Sequence, residues 1–501
     1  MQAKLEALKG HLREIKDLEA VTSVLYWDQT TYMPEGGAPA RGRQLALIAR
    51  MAHEKQCDPA IGKLLEALEP WVEELGPDND DAALIRVARR DYDKAVKMPS
   101  DFVEEFNLHT AETYQVWTEA RPANDFKRVE PLLEKTLDLS RRMAGFFPGY
   151  DHIVDPLIDF RDPGVTVRAL RPLFSELKEG LVPLVRAITE GERVDDSCVK
   201  QHFPQEQQLA FGREIVTRFG YDFSRGREDI SPHPFTTSFS IGDVRITTRV
   251  REHDLTEALF GTLHEAGHGM YEQGINPDYE GLPIADGTSS GVHESQSRLW
   301  ENVVGRSRPF WEFAYPELQQ LFPDQLGSVP LDVFYRAINK VSRSLIRTDA
   351  DEVTYNLHVM LRFELELELL EGALRVKDLP EVWRARFKDM MGIEPPDDKD
   401  GVMQDVHWYA GKIGGAFQGY TLGNVLASQF YAAAVEAEPE IPGAIARGEF
   451  APLHTWMKDN IYWHGRKHTA VDLVQRTTGG AMSAEPYLTY LREKYGALYD
   501  L

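Results

Sequence analysis

The stretch GTLHEAGHGMYEQG, Gly261–Gly274, places His264, Glu265 and His268 at the spacing of a metal site that carries its own base. On a helix His264 and His268 lie one turn apart on the same face. They can therefore present two imidazoles to one point, as a tetrahedral zinc requires. Glu265, turned about 100° from His264, sits beside that point rather than on it. There it can take a proton from a water that the ion has acidified. The bland alternative is three polar residues on an ordinary helix. Leu255, Leu259 and Leu263 make a helical stripe leading into the motif, which supports the helix. Gly261, Gly267 and Gly269 weaken it by about 1 kcal/mol each against Ala, and are read as leaving room for another backbone or for substrate.

A catalytic zinc takes three protein ligands and keeps one position open. Downstream, in SSGVHESQSRLWENVVGRS, Val292, Leu299 and Val303 predict a second helix starting near Ser290. Glu294, in its first turn, is the best candidate for the third ligand. Glu301 is the competitor, and a solvated helix glutamate is the ordinary reading of either.

The elements that must position these residues are mostly helical. Leu5, Leu8, Leu12, Ile15 and Leu18 fall three or four apart. Leu331–Glu371 contains no Gly or Pro, which fits one long helix or two abutting ones. FTTSFSIGDVRITTRV, Phe235–Val250, is instead rich in Thr, Phe, Ile and Val and predicts a hairpin turning at Gly242-Asp243. The free edge of such a hairpin can pair with an extended peptide. PEGGAPARG, PDYEGLPIADGTSSG and MGIEPPDDKDG read as surface loops. The expected fold is mainly α: one large domain of 501 residues with a small hairpin or sheet beside the HExxH helix. Its parts are a helical N-terminal section (about 1–230), a catalytic section (about 231–430) and C-terminal helices (about 431–501).

A formal net charge of −24 argues against nucleic-acid partners and against docking on anionic membranes. Only two cysteines, Cys57 and Cys198, and no CxxC pair suit a reducing compartment. The charged N-terminus lacks a secretory apolar core, and no run approaches the roughly 18 apolar residues of a membrane span. The sequence is read as cytoplasmic.

Five motifs then carry a resemblance: DVRIT (Asp243–Thr247), HEAGH (His264–His268), HESQ (His293–Gln296), IRTDAD (Ile346–Asp351) and GVMQDVHW (Gly401–Trp408). In this order, and with WDQTTYMPEGGAPARGRQLA near the N-terminus, they resemble the carboxypeptidase Taq family of thermostable metallocarboxypeptidases. The resemblance implies His264, His268 and Glu294 as metal ligands and Glu265 as general base. It implies zinc, with cobalt also supporting activity, and a mostly helical, saddle-like homodimer with a deep groove. It implies removal of single residues from peptides with a free C-terminus, with broad side-chain tolerance. GKIGGAFQGYTLG (Gly411–Gly423) departs from the family's pattern by one residue, and Tyr420 takes the place of the family tyrosine.

A carboxypeptidase must hold its substrate's terminal carboxylate, which an endopeptidase need not do. The planar fork of arginine does this best. Arg347 is the expected residue, placed in the long apolar-rich helix, with a structural pair to Asp349 or Asp351 as its alternative and Arg245 in reserve. His407 and Tyr420 are candidate donors to the tetrahedral intermediate. Asp351 and Asp405 are candidate acceptors behind a ligand histidine. The competing functions are a zinc endopeptidase or aminopeptidase of the HExxH type, and a non-catalytic helical binding protein with a degenerate metal site.

Overall fold

Leu5, Leu8, Leu12 and Ile15 form the expected stripe on the helix Gln2–Thr31. They are buried against Ile61, Leu65 and Leu68 of the helix Pro59–Leu75 and against Leu84, Ile85 and Ala88 of the helix Asp80–Lys97. This is the helix-on-helix layering that a 3.6-residue apolar period dictates. The computed structural model describes all 501 residues, and 68% of them are helical. No helix is long and apolar enough to cross a membrane.

The chain's contacts gather into two compact units, each assembled from three stretches. The first comprises residues 1–96, 196–338 and 430–480; the second comprises 97–195, 339–429 and 481–501.

The first unit holds the sheet. Strands β1 (Glu228–Ile230), β2 (Thr236–Ser240) and β3 (Asp243–Thr248) lie in the order β1-β3-β2. β2 and β3 are the expected antiparallel hairpin, with Thr236 opposite Ile246. Its turn is Ile241-Gly242, one residue earlier than expected. A bulge at Ser238/Ser240 absorbs the shift, and Asp243, held by Arg245, opens β3. The parallel partner β1 was not expected. Its Glu228 and Asp229 look like surface residues in sequence, yet they are buried, paired with Arg213 and Arg227. Glu228 also accepts from the Thr262 hydroxyl at 2.8 Å, which ties β1 to the HExxH helix.

Two stretches expected as surface loops are not. In PEGGAPARG a single turn at Glu35–Gly37 runs into a helix starting at Ala38, with Pro39 in its first turn, where no amide is needed. In PDYEGLPIADGTSSG, Tyr279, Leu282 and Ile284 are core residues.

Neither one long helix nor two abutting ones, as expected over Leu331–Glu371, forms there. A helix Leu331–Ile338 ends the first unit's middle stretch. In the second unit Arg347–Asp349 form a single 3₁₀ turn, and a helix resumes at Tyr355–Glu371. The cause is short polar side chains competing for the backbone. Asp351 accepts from the amides of Ser342, Val353 and Thr354 (2.9–3.0 Å), and Ser344 Oγ accepts from Ile346.

Tyr355–Glu371 is buried on nearly every side and carries Glu366, which is fully buried. Burial pushes the Glu366 carboxyl up to about 7, against hydrogen bonds from Trp408 Nε1 (2.8 Å) and the Gly414 amide. A folded-state pKa above the unfolded one contributes stability at low pH that is lost as pH rises through the folded value. Between pH 5 and 8 this group should therefore cost up to about 3 kcal/mol of stability. Denaturant titrations across that window should show a fall in stability that Glu366→Gln flattens. An unchanged slope in the variant would assign the pH dependence elsewhere.

Candidate metal centre

The HExxH helix, Leu255–Gly274, starts at Asp254, whose carboxylate accepts from the Thr256 amide at 3.1 Å. Leu255, Leu259 and Leu263 face the core. His264 and His268 share a face, with ring centroids 5.0 Å apart. A Cβ at Gly267 would lie 2.5 Å from the Gln296 carbonyl oxygen and 2.6 Å from Ser297 Cα. Glycine there is thus what lets the following helix, Ser290–Arg298, press its backbone against the motif. Ser289 caps that helix through the Val292 amide at 3.1 Å.

Glu294 comes to the two histidines by this approach. Its Oε2 is 3.7 Å from His268 Nε2 and 4.0 Å from His264 Nε2, and one donor atom from each residue falls within a 4.8 Å cluster. Ligands about 2.0–2.1 Å from a tetrahedral ion stand roughly 3.3 Å apart, so small side-chain movements would close this set on an ion. Two imidazoles and a carboxylate suit a borderline divalent cation such as zinc. Glu294 and Glu301 both pair with Arg298, and Arg306 lies 3.7 Å from Glu301.

Glu301, the rival ligand, has another place. The helix after Ser290–Arg298 widens into a π-helical turn over Leu299–Val304, a distortion frequent at functional sites. Glu301 Oε2 accepts from His264 Nδ1 at 2.8 Å. Arg298 donates to Glu294 Oε1 at 2.8 Å and to Glu301 Oε2 at 3.1 Å, leaving Glu294 Oε2 toward the histidines. Burial opposes charge on His264, but Glu294 and Glu301 outweigh it and raise its pKa. Burial works against Glu301 too, yet Arg298 and His264 hold it down to about 2. Burial, with His293, His264 and Arg298 near, keeps His268 far below the usual imidazole range, neutral as a metal ligand must be.

Glu265 is buried beside this cluster. The Thr236 hydroxyl of β2 lies 2.7 Å from its Oε2 and 2.9 Å from its carbonyl oxygen. Burial raises its pKa, opposed by His264 and Thr236 and assisted by Glu294 and Glu301.

Arg245, in the same unit, is already engaged. It forks onto both Asp243 oxygens at 2.8 Å, its guanidinium 4.4 Å from the Trp27 ring centroid and 4.7 Å from that of Phe239.

Arg347, His407 and Tyr420 meet in the second unit, around Asp405. Arg347 is buried in its 3₁₀ turn, not in a long helix, and its partner is Asp405 rather than Asp349 or Asp351. Its Nη1 donates to the Tyr355 hydroxyl at 2.8 Å. Arg362 Nε lies 3.1 Å from the same Asp405 Oδ2. His407 Nδ1 pairs with Asp405 Oδ1, and His407 Nε2 is 3.1 Å from the Tyr420 hydroxyl. Gln404 Oε1 accepts from the Arg347 amide and from Arg362, both at 2.9 Å, which binds the IRTDAD and GVMQDVHW motifs together. Burial disfavours an ionised Asp405, but Arg362, His407 and Arg347 drive its pKa far below the usual carboxylate range. Burial and the like charge of Arg347 bring Arg362 down to about 10 despite Asp405. Two guanidiniums thus share one carboxylate. Neither Asp351 nor Asp405 stands behind a candidate ligand histidine; Glu301 does.

The match to a family model decides the identity: the Carboxypeptidase Taq (M32) metallopeptidase model covers residues 7–495. The chain belongs to the carboxypeptidase Taq (M32) metallopeptidase family. This M32 chain is 42% identical to thermostable carboxypeptidase 1 of Thermus thermophilus, with 99% of each covered. It is 35% identical to carboxypeptidase 1 of Bacillus subtilis over 98% of this chain and 97% of the relative. Among solved structures, the M32 carboxypeptidase of Deinococcus radiodurans superposes with a TM-score of 0.97 at 49% identity, covering all of both chains. The Trypanosoma cruzi metallocarboxypeptidase 1 gives 0.94 at 33% identity, covering 99% of this chain and 100% of that one. This M32 protein is a metal-dependent carboxypeptidase, a peptide hydrolase.

Proposed function

We propose that His264, His268 and Glu294 hold one divalent ion, zinc by donor set with cobalt as a substitute, and that the protein removes single residues from peptides with a free C-terminus. The convergence of these three side chains, with Glu265 beside them and outside the set, carries the reading. When bound, the ion supplies Lewis acidity, polarising a carbonyl oxygen and acidifying water. Glu265 takes the proton of the attacking water and delivers it to the leaving amine. Thr236 holds the carboxylate in place, and its strand β2 offers an edge to an extended peptide. Arg347 takes the terminal carboxylate through two parallel hydrogen bonds. Tyr420, oriented by His407 and Asp405, donates to the oxyanion of the tetrahedral intermediate. Arg245, which like Arg347 is already paired with an aspartate, stands in reserve for the terminal carboxylate. The protein acts in this reading as a cytoplasmic homodimer, where its two unbridged cysteines stay reduced.

Mass spectrometry of a peptide incubated with the enzyme tests this. A ladder shortened one residue at a time from the C-terminus is expected, abolished by a chelator and restored by Zn²⁺ or Co²⁺. Internal fragments, trimming from the N-terminus, or equal cleavage of a C-terminally amidated peptide would overturn the exopeptidase reading. Activity that survives complete metal removal would overturn the metal centre.

A further inference from the structure

The two candidate ligand histidines are backed differently. His264 Nδ1 meets a carboxylate directly, Glu301 at 2.8 Å. His268 Nδ1 instead meets a third imidazole: His293 Nδ1 lies 2.6 Å away. On its far side, His293 Nε2 is 2.7 Å from Glu272 Oε1. We propose that His293 and Glu272 are positioning residues for the metal centre, an imidazole–carboxylate relay that fixes the ring and the tautomer of His268. The inference rests on the metal-centre reading above.

The proton arrangement follows from the distances. Two ring nitrogens 2.6 Å apart hold one proton between them, so one donates and the other accepts. If His293 carried its single proton on Nδ1, its bare Nε2 would face a carboxylate oxygen, lone pair against lone pair. With Glu272 as acceptor, that proton belongs on Nε2. His293 Nδ1 then accepts from His268 Nδ1–H, and His268 Nε2 is left bare on the side of Glu294 and His264. Glu272 thereby selects, across an intervening ring, the one neutral tautomer of His268 that can bind an ion through Nε2.

The position of His293 is built for this. A Cβ on Gly287 would lie 2.5 Å from His293 Cδ2, so only glycine leaves the ring its space. The Tyr271 ring packs 5.1 Å from it, centroid to centroid, and is itself fixed by the Thr288 amide, which donates to the Tyr271 hydroxyl at 3.0 Å. Glu272 is buried one turn beyond His268 on the HExxH helix. The relay therefore leaves that helix at His268, crosses to His293, which precedes Glu294 in sequence, and returns to the same helix at Glu272.

Metal affinity and ligand-field spectra of the full-length protein, stripped of metal and titrated with Zn²⁺ against a chromophoric chelator and with Co²⁺, test the relay without reference to activity. Outer partners of metal-bound histidines are typically worth 10–100-fold in affinity. His293→Phe and Glu272→Met should each weaken Zn²⁺ binding about 10- to 100-fold and shift the Co²⁺ visible bands. His293→Asn, whose Oδ1 can replace Nδ1 as acceptor, and Glu272→Gln, whose amide oxygen can accept from Nε2, should recover most of the affinity. Unchanged affinity and spectrum in His293→Phe and Glu272→Met would overturn the relay. So would equal losses in the conservative and non-conservative variants with matching falls in metal-free thermal stability, the pattern of a purely structural role. If the unsubstituted protein binds no ion, the metal-centre reading fails and the relay with it. If it binds an ion and the variants bind equally well, only the relay fails.

Discussion

A Glu265→Gln variant is expected to bind its metal as tightly as the unsubstituted protein and to lose about 10³- to 10⁴-fold in kcat/KM, roughly 4–5.5 kcal/mol of transition-state stabilisation. Two features of the site set this expectation. Glu265 stands outside the two imidazoles and carboxylate that converge, so removing its charge leaves the donor set intact. Its Oε2 accepts from the Thr236 hydroxyl at 2.7 Å, a contact the amide oxygen of Gln can keep, so the side chain should stay where it is. What the amide cannot do is accept a proton. Burial makes Glu265 a better base than an exposed glutamate, since its pKa is raised toward the working pH. Metal stoichiometry, thermal stability and steady-state kinetics measured together check the assignment. Activity within about tenfold of the unsubstituted enzyme, with metal bound, would remove Glu265 from the base role.

How far such roles could be read before the fold was known depended on whether spacing translates into direction. For His264, Glu265 and His268 it does, because a 3.6-residue period turns a separation of four into a shared face. Gly267 was legible as a place of close approach, though not what approaches: the backbone of Gln296 and Ser297. Glu294 and Glu301 are seven apart and share a helix face, so spacing alone could not rank them. The π turn at Leu299–Val304, for which no residue propensity gives a signal, carries Glu301 to the far nitrogen of His264. Arg298 lies between them at i+4 from Glu294, so an ordered Glu–Arg–Glu face was a visible cue that pointed to orientation rather than ligation.

Other parts depended on partners distant in the chain. Absence of Gly and Pro over Leu331–Glu371 suggests one helix or two abutting ones, but the stops are Ser344 and Asp351, which offer the backbone better hydrogen bonds than the helix does. Strand β1 escaped because Glu228-Asp229 read as surface until Arg213, Arg227 and Thr262 supply their partners. Arg362 escaped for the converse reason. An arginine in the apolar run HVMLRFELELELL demands a buried carboxylate, and the one it finds, Asp405, lies 43 positions along the sequence.

That shared carboxylate sharpens the expectation for Arg347. Replacing it with lysine should lower kcat/KM on free-acid peptides by about 10²- to 10³-fold, or roughly 3–4 kcal/mol, while amidated peptides, poor substrates from the start, change little. Lysine keeps the charge, and Arg362 remains at 3.1 Å, so Asp405 is not left alone. What is lost is the planar fork, which lysine's point charge cannot reproduce on a carboxylate. If ground state and transition state use the fork equally, the loss falls mainly in KM. The competing account makes Arg347 only the buried partner of Asp405 and Tyr355. Under that account Arg347→Lys would lower thermal stability and leave the preference for free acid over amide untouched. The ratio of the two substrates' kcat/KM in one enzyme preparation separates these outcomes, because a fall in the amount of folded protein cancels from it. A collapsed ratio assigns the terminal carboxylate to Arg347. A preserved ratio leaves the two guanidiniums on Asp405 with a role in packing alone.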